Sequence, residues 1–408
     1  MRWFIFILFY LVLSWYAFQS VRTLTRINWI HYSYIVLSLV ILGSFIYQFA
    51  FLSEQSRLMT PARSYAFGFL LTFIVSSLCV IPFLFGEDLY RLGAGVYNKF
   101  FGQGQSFTVL SRRKFISTIA LGIAAIPFTS LLYGMYKGKY NFRVLRYTLH
   151  FDDLPDAFDG YRITQISDIH SGSFDNKSKI EYAVDLVNEQ ESDVILFTGD
   201  MVNNEAREML PWKDTFSKLT ARDGKFSVLG NHDYGDYISW SSPEEKTKNL
   251  DQLKDLQKEM GFDLLLNENR YLEKDGERIA LIGVENWGAG GFKKAGDLGK
   301  AASGIQKDDF KILMSHDPSH WENQVIQDDY HYHLTLSGHT HGMQFGIEIP
   351  GLIKWSPVKW RYKYWAGIYE ELGQYINVNR GFGYLAYPGR VGIWPEITVI
   401  ELKKKELA

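Results

Sequence analysis

The sequence predicts a helical membrane region followed by an α/β domain. Two observations carry that prediction. Before residue 137 the chain holds four long apolar segments free of charge, and after it five strand-like runs each end in Asp, Asn or His. An apolar helix without a polar face suits lipid, whereas short β-branched runs separated by helical patterns suit a soluble α/β core.

The four apolar segments are Trp3–Phe18, Trp29–Leu52, Tyr65–Phe85 and Phe115–Tyr136. A hydrocarbon core of ~30 Å needs about 20 apolar residues, and the last three segments reach that length. The first is shortest and signal-like, although no small-residue cleavage site follows it. Trp, Tyr and Phe crowd the segment ends, as at a membrane–water interface. None of the four spans carries Asp, Glu, Lys or Arg, so an intramembrane ionisable site is not expected and anchoring is favoured over transport.

Four spans put residue 1 and the later domain on one side of the membrane. Loops 19–28 and 86–114 carry Arg22, Arg26, Arg91, Lys99, Arg112, Arg113 and Lys114, against Arg2, Arg57 and Arg63 on the other side. Lys137, Lys139, Arg143 and Arg146 follow the fourth span and level that tally. The stretch "SRRKFIS", Ser111–Ser117, resembles a twin-arginine export signal ahead of an apolar span; it also reads as an ordinary positive-inside flank. Both readings leave Arg112 and Arg113 in the cytoplasm. The expectation is a multi-pass cell-membrane protein with an extracytoplasmic domain.

Charge divides the same way. Residues 1–135 hold ten Lys/Arg against three Asp/Glu, and the remainder 33 against 42, so +7 and −9 give the net −2. A mildly acidic second half lacks the basic surface that nucleic acid requires. Cys79 is the single cysteine, which excludes an internal disulfide and a thiolate metal site. Residues 137–148 read as a linker, followed by a first strand in the charged, alternating stretch "KGKYNFRVLRYTLHFDDLP", and 149–408 as one α/β domain of ordinary size.

Within that domain "YRITQISDIH" ends in Asp168 and His170, and "DVILFTGD" in Gly199 and Asp200. "KFSVLGNHD" ends in Gly230, Asn231, His232 and Asp233, "FKILMSHD" in His316 and Asp317, and "HLTLSGHTH" in His339 and His341. Helical patterns cover Lys179–Glu191 and Pro243–Gly261. Open α/β sheets place their sites at such strand ends. One polar strand end is an ordinary turn. Five drawn from the ligand set of hard or borderline divalent metals point to metal chemistry. His339 and His341, two apart in an extended segment, would share a face; the upstream pair His331 and His333 has no such setting.

The pattern DxH…GD…GNHD…H…GHxH resembles the calcineurin-like metallophosphoesterases over almost all of the soluble half. The segments "LPDAFDGYRITQISDIHSG" and "YINVNRGFGY…PEITVIEL" are similar to the bacterial membrane-associated branch with N-terminal transmembrane helices. The resemblance implies a β-sandwich of two sheets flanked by helices. It also implies two divalent metal ions, with Mn, Fe or Zn all suited to an Asp/His/Asn site. Carried over, one ion takes Asp168, His170, Asp200 and His341, and the other Asp200, Asn231, His316 and His339, with Asp200 bridging. Two ions ~3.5–4 Å apart would activate a bridging water and clamp the phosphoryl oxygens for in-line displacement.

His232 is then the general acid for the leaving oxygen, or a hydrogen-bond donor to phosphate. Asp233 either orients His232 or serves as a turn or cap residue. Gly199, Gly230 and Gly338 would let backbone approach the ions, or are simple turn glycines. Gly342-Met343-Gln344 departs from the branch's Gly-Gly-Gln, which bears on the pocket rim. "KWSPVKWRYKYWAG", Lys354–Gly367, reads as an interfacial flap or as a covering hairpin with snorkelling charges. Arg380 and Arg390 are candidate phosphate contacts or plain surface arginines.

The function expected is a membrane-anchored two-metal phosphohydrolase. Its substrate would be a phosphodiester or pyrophosphate, with a lipid-linked or cell-envelope compound among the options, and its partners the membrane but no nucleic acid. The alternative is a membrane-anchored sensor with a non-catalytic phosphoesterase domain, which an intact ligand set disfavours.

Overall fold

The computed structural model describes residues 1–52, 59–101, 110–349 and 351–405. It divides into two compact units, Met1–Ser56 with Ala62–Tyr136, and Arg57–Pro61 with Lys137–Ala408.

The first unit is helical: α1 Arg2–Leu24, α2 Asn28–Ile46, α3 Pro61–Phe101 and α4 Leu110–Tyr136. A π-helical turn, Tyr47–Phe51, prolongs α2. All four are long and apolar enough to cross a membrane. Ala17, Ala120 and Ala124 sit in one buried seam with Val80 and Leu84, where small side chains let helices approach closely. Polar groups inside the bundle find internal partners, as they must away from water: Tyr10 donates to Ser38 O at 3.0 Å, and Ser14 and Ser38 hydroxyls meet at 2.7 Å.

One expectation fails here. The sequence ends the third span at Phe85, yet α3 continues to Phe101. At ~1.5 Å per residue its length is about twice a hydrocarbon core. Glu87, Asp88 and Arg91 therefore lie on the same helix. Glu87 is buried, and its carboxylate pairs with Arg91 at 2.7 Å, Arg113 at 2.9 Å and Arg112 at 3.5 Å. Asp88 pairs with Arg113 and accepts from Tyr16 at 2.7 Å. Arg112 also lies over the Tyr90 ring, 3.5 Å from its centroid. The two arginines of "SRRKFIS" thus bind α3. Arg57, part of the opposing charge tally, lies outside the described residues.

In the second unit the first strand, β1, is Arg143–Phe151, so it begins inside the stretch read as linker. It is secured by a parallel register with the last strand, β14 (Glu396–Lys404), from Arg143↔Glu396 to Phe151↔Lys404. Between them run β2 Arg162–Ile166, β3 Val194–Phe197, β4 Lys225–Ser227, β5 Phe262–Leu264, β6 Glu268–Lys274, β7 Glu277–Gly283, β8 Lys311–Met314 and β9 Leu334–Ser337. The short β10 (Ile347–Ile349) and β11 (Ile353–Trp355) form their own pair, and β12 (Gly367–Glu371) and β13 (Gln374–Val378) follow. One six-stranded sheet has the order β1-β14-β2-β3-β4-β5, and the other β12-β13-β9-β8-β7-β6.

Alternation explains the layers. Val194 and Leu196 of β3 join Ile163, Leu281, Ile312, Met314, Leu334 and Leu336 in a core drawn from both sheets. Their neighbours Ile195 and Phe197 point the other way, against Ile180, Val184, Leu253 and Leu256 of two helices. On the far side Ala280, Ile282 and Leu313 pack with Leu298, Ala301 and Trp321. Strands apolar on both faces belong in a sheet covered on both faces. The domain is a β-sandwich flanked by helices, as expected. The helices start at caps: Asn176 accepts from Lys179 N ahead of Lys177–Asn188, and Ser242 accepts from Glu245 N ahead of Pro243–Glu259.

Candidate metal centre

Each candidate ligand follows the C-terminal end of a strand: β2 for Asp168 and His170, β3 for Asp200, β4 for Asn231, β8 for His316, β9 for His339 and His341. The loops bring all seven together. His341 Nε2 lies 3.2 Å from Asp168 Oδ1 and 3.0 Å from His170 Nε2. Asp200 Oδ2 is 3.1 Å from His316 Nε2 and 3.6 Å from His170 Nε2. Asn231 Oδ1 meets His339 Nδ1 at 2.7 Å. Two donor groups result, Asp168/His170/His341 and Asp200/His316/His339, each with its ligand atoms within 4.8 Å of one another.

The backbone here is strained. Asp168, His170, Asp200, His339 and His341 all have left-handed φ, between 49° and 71°. Such conformations cost side-chain-bearing residues roughly 1–2 kcal/mol each and cluster at functional sites. This corrects one expectation: β9 ends at Ser337, so His339 and His341 are not in extended backbone and do not share a face by period two. Close approach also decides two glycines. A Cβ at Gly230 would sit 2.2 Å from Asp200 Oδ1, and one at Gly338 2.3 Å from Asp168 Oδ2.

Ring hydrogen bonds set which nitrogens face the centre. His316 Nδ1 donates to Thr198 O at 2.7 Å, which fixes Nδ1 as a donor and turns Nε2 toward the centre. That Nε2 is buried and has no hydrogen-bond partner; its approach to Asp200 lacks hydrogen-bond geometry. His170 Nδ1 is likewise held by Asn203 Oδ1 at 3.1 Å. Asn231 Nδ2 donates to Tyr237 at 2.7 Å, so its Oδ1 turns to His339. An orphaned, buried imidazole nitrogen beside carboxylates and an amide oxygen fits a divalent metal.

Electrostatics agree. Burial opposes charge on Asp200, but His316 and His232 outweigh it and hold the carboxyl well below its usual range. Burial likewise opposes charge on Asp168, and His341 overcomes it. Burial would depress His316, yet Asp200 and Asp168 push it up to about 10. His170 is lowered by burial and by His341, and His339 by burial and by His316. A metal ion binds ionised carboxylates and neutral imidazoles, so Asp168, Asp200, His170 and His339 are ready for it, whereas His316 would give up its Nε2 proton on binding.

Around this set lie residues that steer it; Asn203 and Tyr362 are two that the sequence did not single out. Asn203 O holds His232 Nδ1 at 2.8 Å, so Asn203 orients His232 while its side chain orients His170. Asp233 does not contact His232 in that way. Its carboxylate accepts four backbone N–H groups, from Asp200, Met201, Val202 and Gly230 at 2.8–3.3 Å. Tyr362 places its hydroxyl 2.8 Å from His339 Nε2. Arg390 is fully buried, not a surface arginine; it donates to Gly381 O and Gly383 O and lies 3.2 Å from His341 Nδ1. Arg380 is committed to Glu396 at 2.5 Å and Glu348 at 2.6 Å. His333 is bound to Asp153 at 2.7 Å and to Lys311 N, apart from the centre.

Comparison with known proteins agrees with this geometry. Residues 161–343 match the family model described as "Calcineurin-like phosphoesterase", and residues 1–139 the one described as "Probable Calcineurin-like phosphoesterase, transmembrane domain". An uncharacterized metallophosphoesterase of Bacillus subtilis, YkuE, is 29% identical over 72% of this chain and 98% of its own length. The phosphodiesterase YaeI of Escherichia coli is 27% identical over 72% of this chain and 100% of its own. A Danio rerio transmembrane protein with a metallophosphoesterase domain is 27% identical over 69% of this chain and 62% of its own.

A helix-flanked sandwich with this donor set at its strand ends defines a metal-dependent phosphoesterase. The chain belongs to the calcineurin-like metallophosphoesterases, is a membrane protein, and carries the four-helix transmembrane domain ahead of its phosphoesterase domain.

Proposed function

We propose that the chain is a membrane-anchored phosphohydrolase that cleaves phosphodiester or pyrophosphate bonds near the bilayer, with its catalytic domain outside the cytoplasm. Asp168, His170, Asp200 and His341 would hold one divalent ion, and Asp200, Asn231, His316 and His339 a second, with Mn, Fe or Zn suited to the donors. The observation that carries this reading is Asp200, whose Oδ2 approaches both His316 and His170. When bound, two such ions supply water activation and neutralise phosphoryl charge.

The chain's own residues do the rest. His232 has Nδ1–H fixed on Asn203 O, so Nε2 is the nitrogen that gives its proton to the leaving oxygen. Its ring lies 4.4 Å from Tyr237 and 4.9 Å from His170, centroid to centroid, which restricts its tilt. Arg390 ties the loop around Gly381 and Gly383 to the Asp168 backbone, since Gly383 N donates to Asp168 O at 2.8 Å. A non-catalytic binding role is disfavoured by the complete donor set. The membrane region through residue 136 would serve as the anchor.

The test is a screen of the purified full-length chain, with Mn²⁺ supplied, against phosphomonoesters, phosphodiesters and lipid-linked pyrophosphates. Chelator-sensitive turnover of diesters or pyrophosphates is expected. Turnover confined to monoesters would overturn the substrate class, and turnover indifferent to chelator would overturn the metal role.

A further inference from the structure

The hairpin of β10 and β11 is built inside out. Its register pairs Ile347 with Trp355, Glu348 with Lys354 and Ile349 with Ile353. Alternation therefore puts Ile347, Ile349, Ile353 and Trp355 on one face and Glu348 and Lys354 on the other. The polar face is the one held by the domain. Glu348 accepts from Arg380 at 2.6 and 3.1 Å, while Lys354 donates to Ala366 O and lies 5.3 and 5.0 Å from the Trp365 and Tyr369 rings.

The apolar face is left to the outside. Ile347, Ile349 and Ile353 are exposed, Leu352 beside them is 79% exposed, and Met343 and Phe345 lead into the hairpin exposed as well. Trp360, 77% exposed, lies 6.1 Å from Trp355. Single exposed apolar side chains are ordinary, but a contiguous set on one small element marks a surface that meets an apolar phase.

We propose that this face docks on an anionic lipid bilayer and presents the metal centre to phosphoesters at the bilayer surface. Charge complementarity selects lipid. Residues 343–363 hold four cations against the single acid Glu348, in a half of the chain that is otherwise acidic. Lys354 is turned to the domain and Lys363 is paired with Glu371 at 2.6 Å, so Lys359 and Arg361 are the two that count. Lys359 and Arg361 make no ion pair among the described residues, which leaves them for lipid phosphates. Exposed Trp beside Lys and Arg is the composition of a membrane interface. The same chain carries four helices long and apolar enough to cross that membrane. The stretch also reaches the centre itself, because Tyr362 bonds His339 and lies 3.4 Å from Asp317 Oδ2. The substrate clause rests on the phosphohydrolase reading; the docking does not.

Docking is read without turnover. In a Cys79→Ser background, Leu352→Cys carries an environment-sensitive fluorophore, and the full-length chain is reconstituted into phosphatidylcholine vesicles with or without phosphatidylglycerol. Leu372→Cys, 77% exposed on the turn between β12 and β13, is the matched control, and Ile349→Cys replaces Leu352→Cys should that variant misfold. A blue-shifted emission at 352, quenched by nitroxide lipids far more than at 372 and more strongly with phosphatidylglycerol, is expected. Equal quenching at both sites, or none at 352, overturns the docking. A blue shift that nitroxide lipids leave unquenched means that protein covers the face, and overturns it too.

Turnover then tests the substrate clause. The double variant Leu352→Glu/Ile353→Glu should lose about tenfold toward a vesicle-embedded phosphodiester, the equivalent of half-burying one leucine. Toward soluble bis-p-nitrophenyl phosphate it should match the parent. Equal loss on both overturns the lipid substrate. A parent inactive on both fails the phosphohydrolase reading and leaves the fluorescence result standing.

Discussion

Asp233→Asn is the most informative single change, because Asp233 joins two ligand loops without touching a ligand side chain. Its Oδ2 accepts from Asp200 N and Gly230 N, both at 2.9 Å, and its Oδ1 from Met201 N at 2.8 Å and Val202 N at 3.3 Å. All of this is buried. Leaving a buried N–H unpaired costs ~1–3 kcal/mol. Alanine would orphan four, at least about 4 kcal/mol, which approaches the whole stability of many domains. Asparagine keeps one oxygen and turns an amide against the other pair of N–H groups, so about 2 kcal/mol is the expected loss. For a domain of this size that lowers Tm by about 4–8 °C.

The assay is thermal unfolding of the full-length protein in micelles, followed by tryptophan fluorescence, with metal content measured on the same samples. Loosened ligand loops should also weaken metal binding by ~10–100-fold. A variant that melts within about a degree of the parent and keeps its metal would refute the reasoning. Should the rate alone fall, with stability and metal intact, Asp233 would be acting on His232 and not on the loops.

Four further outcomes are expected. Asp200→Asn should lower both metal content and turnover, since one carboxylate serves both donor groups; two metals per chain with near-normal turnover would sink the bridge. His232→Ala should keep its metal and lose ~10²–10⁴ in kcat, less for substrates with good leaving groups; a uniform loss across leaving groups would point to an electrostatic role. Protease added to intact spheroplasts should digest the phosphoesterase domain, and full protection until lysis would place it in the cytoplasm. His320, buried between Ser315 Oγ and Gln324 Oε1, is lowered by burial to about 4. Its depressed value means that its contribution is whole above pH ~6.5 and is lost as pH falls toward 4, about 3 kcal/mol by linkage. His320→Gln should flatten that acid limb of the stability profile, and an unchanged limb would count against it.

The sequence exposed the ligands because each is adjacent to the strand that positions it. Apolar run, glycine and donor follow one another within ten residues, as in "DVILFTGD". The groups that steer those ligands were hidden for the opposite reason. Asn203 and Tyr362 act through contacts 29 and 23 residues away in sequence, and nothing local distinguishes them from loop residues; Arg390 was visible as a candidate, but not that it is buried against His341. The same separation shifted the start of β1, whose presence the alternation after the linker indicates. Arg143 and Arg146 interrupt its apolar pattern, and pairing with β14, more than 240 residues later, carries the strand back to Arg143. The membrane unit shows the limit of composition: Glu87 looked like the end of a span, but arginines from α4 neutralise it and the helix runs on.

That cluster bears on how the export motif can be probed. Lysine in place of both arginines is the obvious way to ask whether "SRRKFIS" addresses the chain to an export machinery. Here the same change would strip the forked donors from Glu87 and Asp88 and lift a guanidinium off Tyr90, since an ammonium reproduces neither the planar fork nor the stacking. Failed secretion would then report a broken helix clasp as readily as an unread address. Glu87→Gln separates the two, because it loosens the clasp while leaving every letter of the address in place.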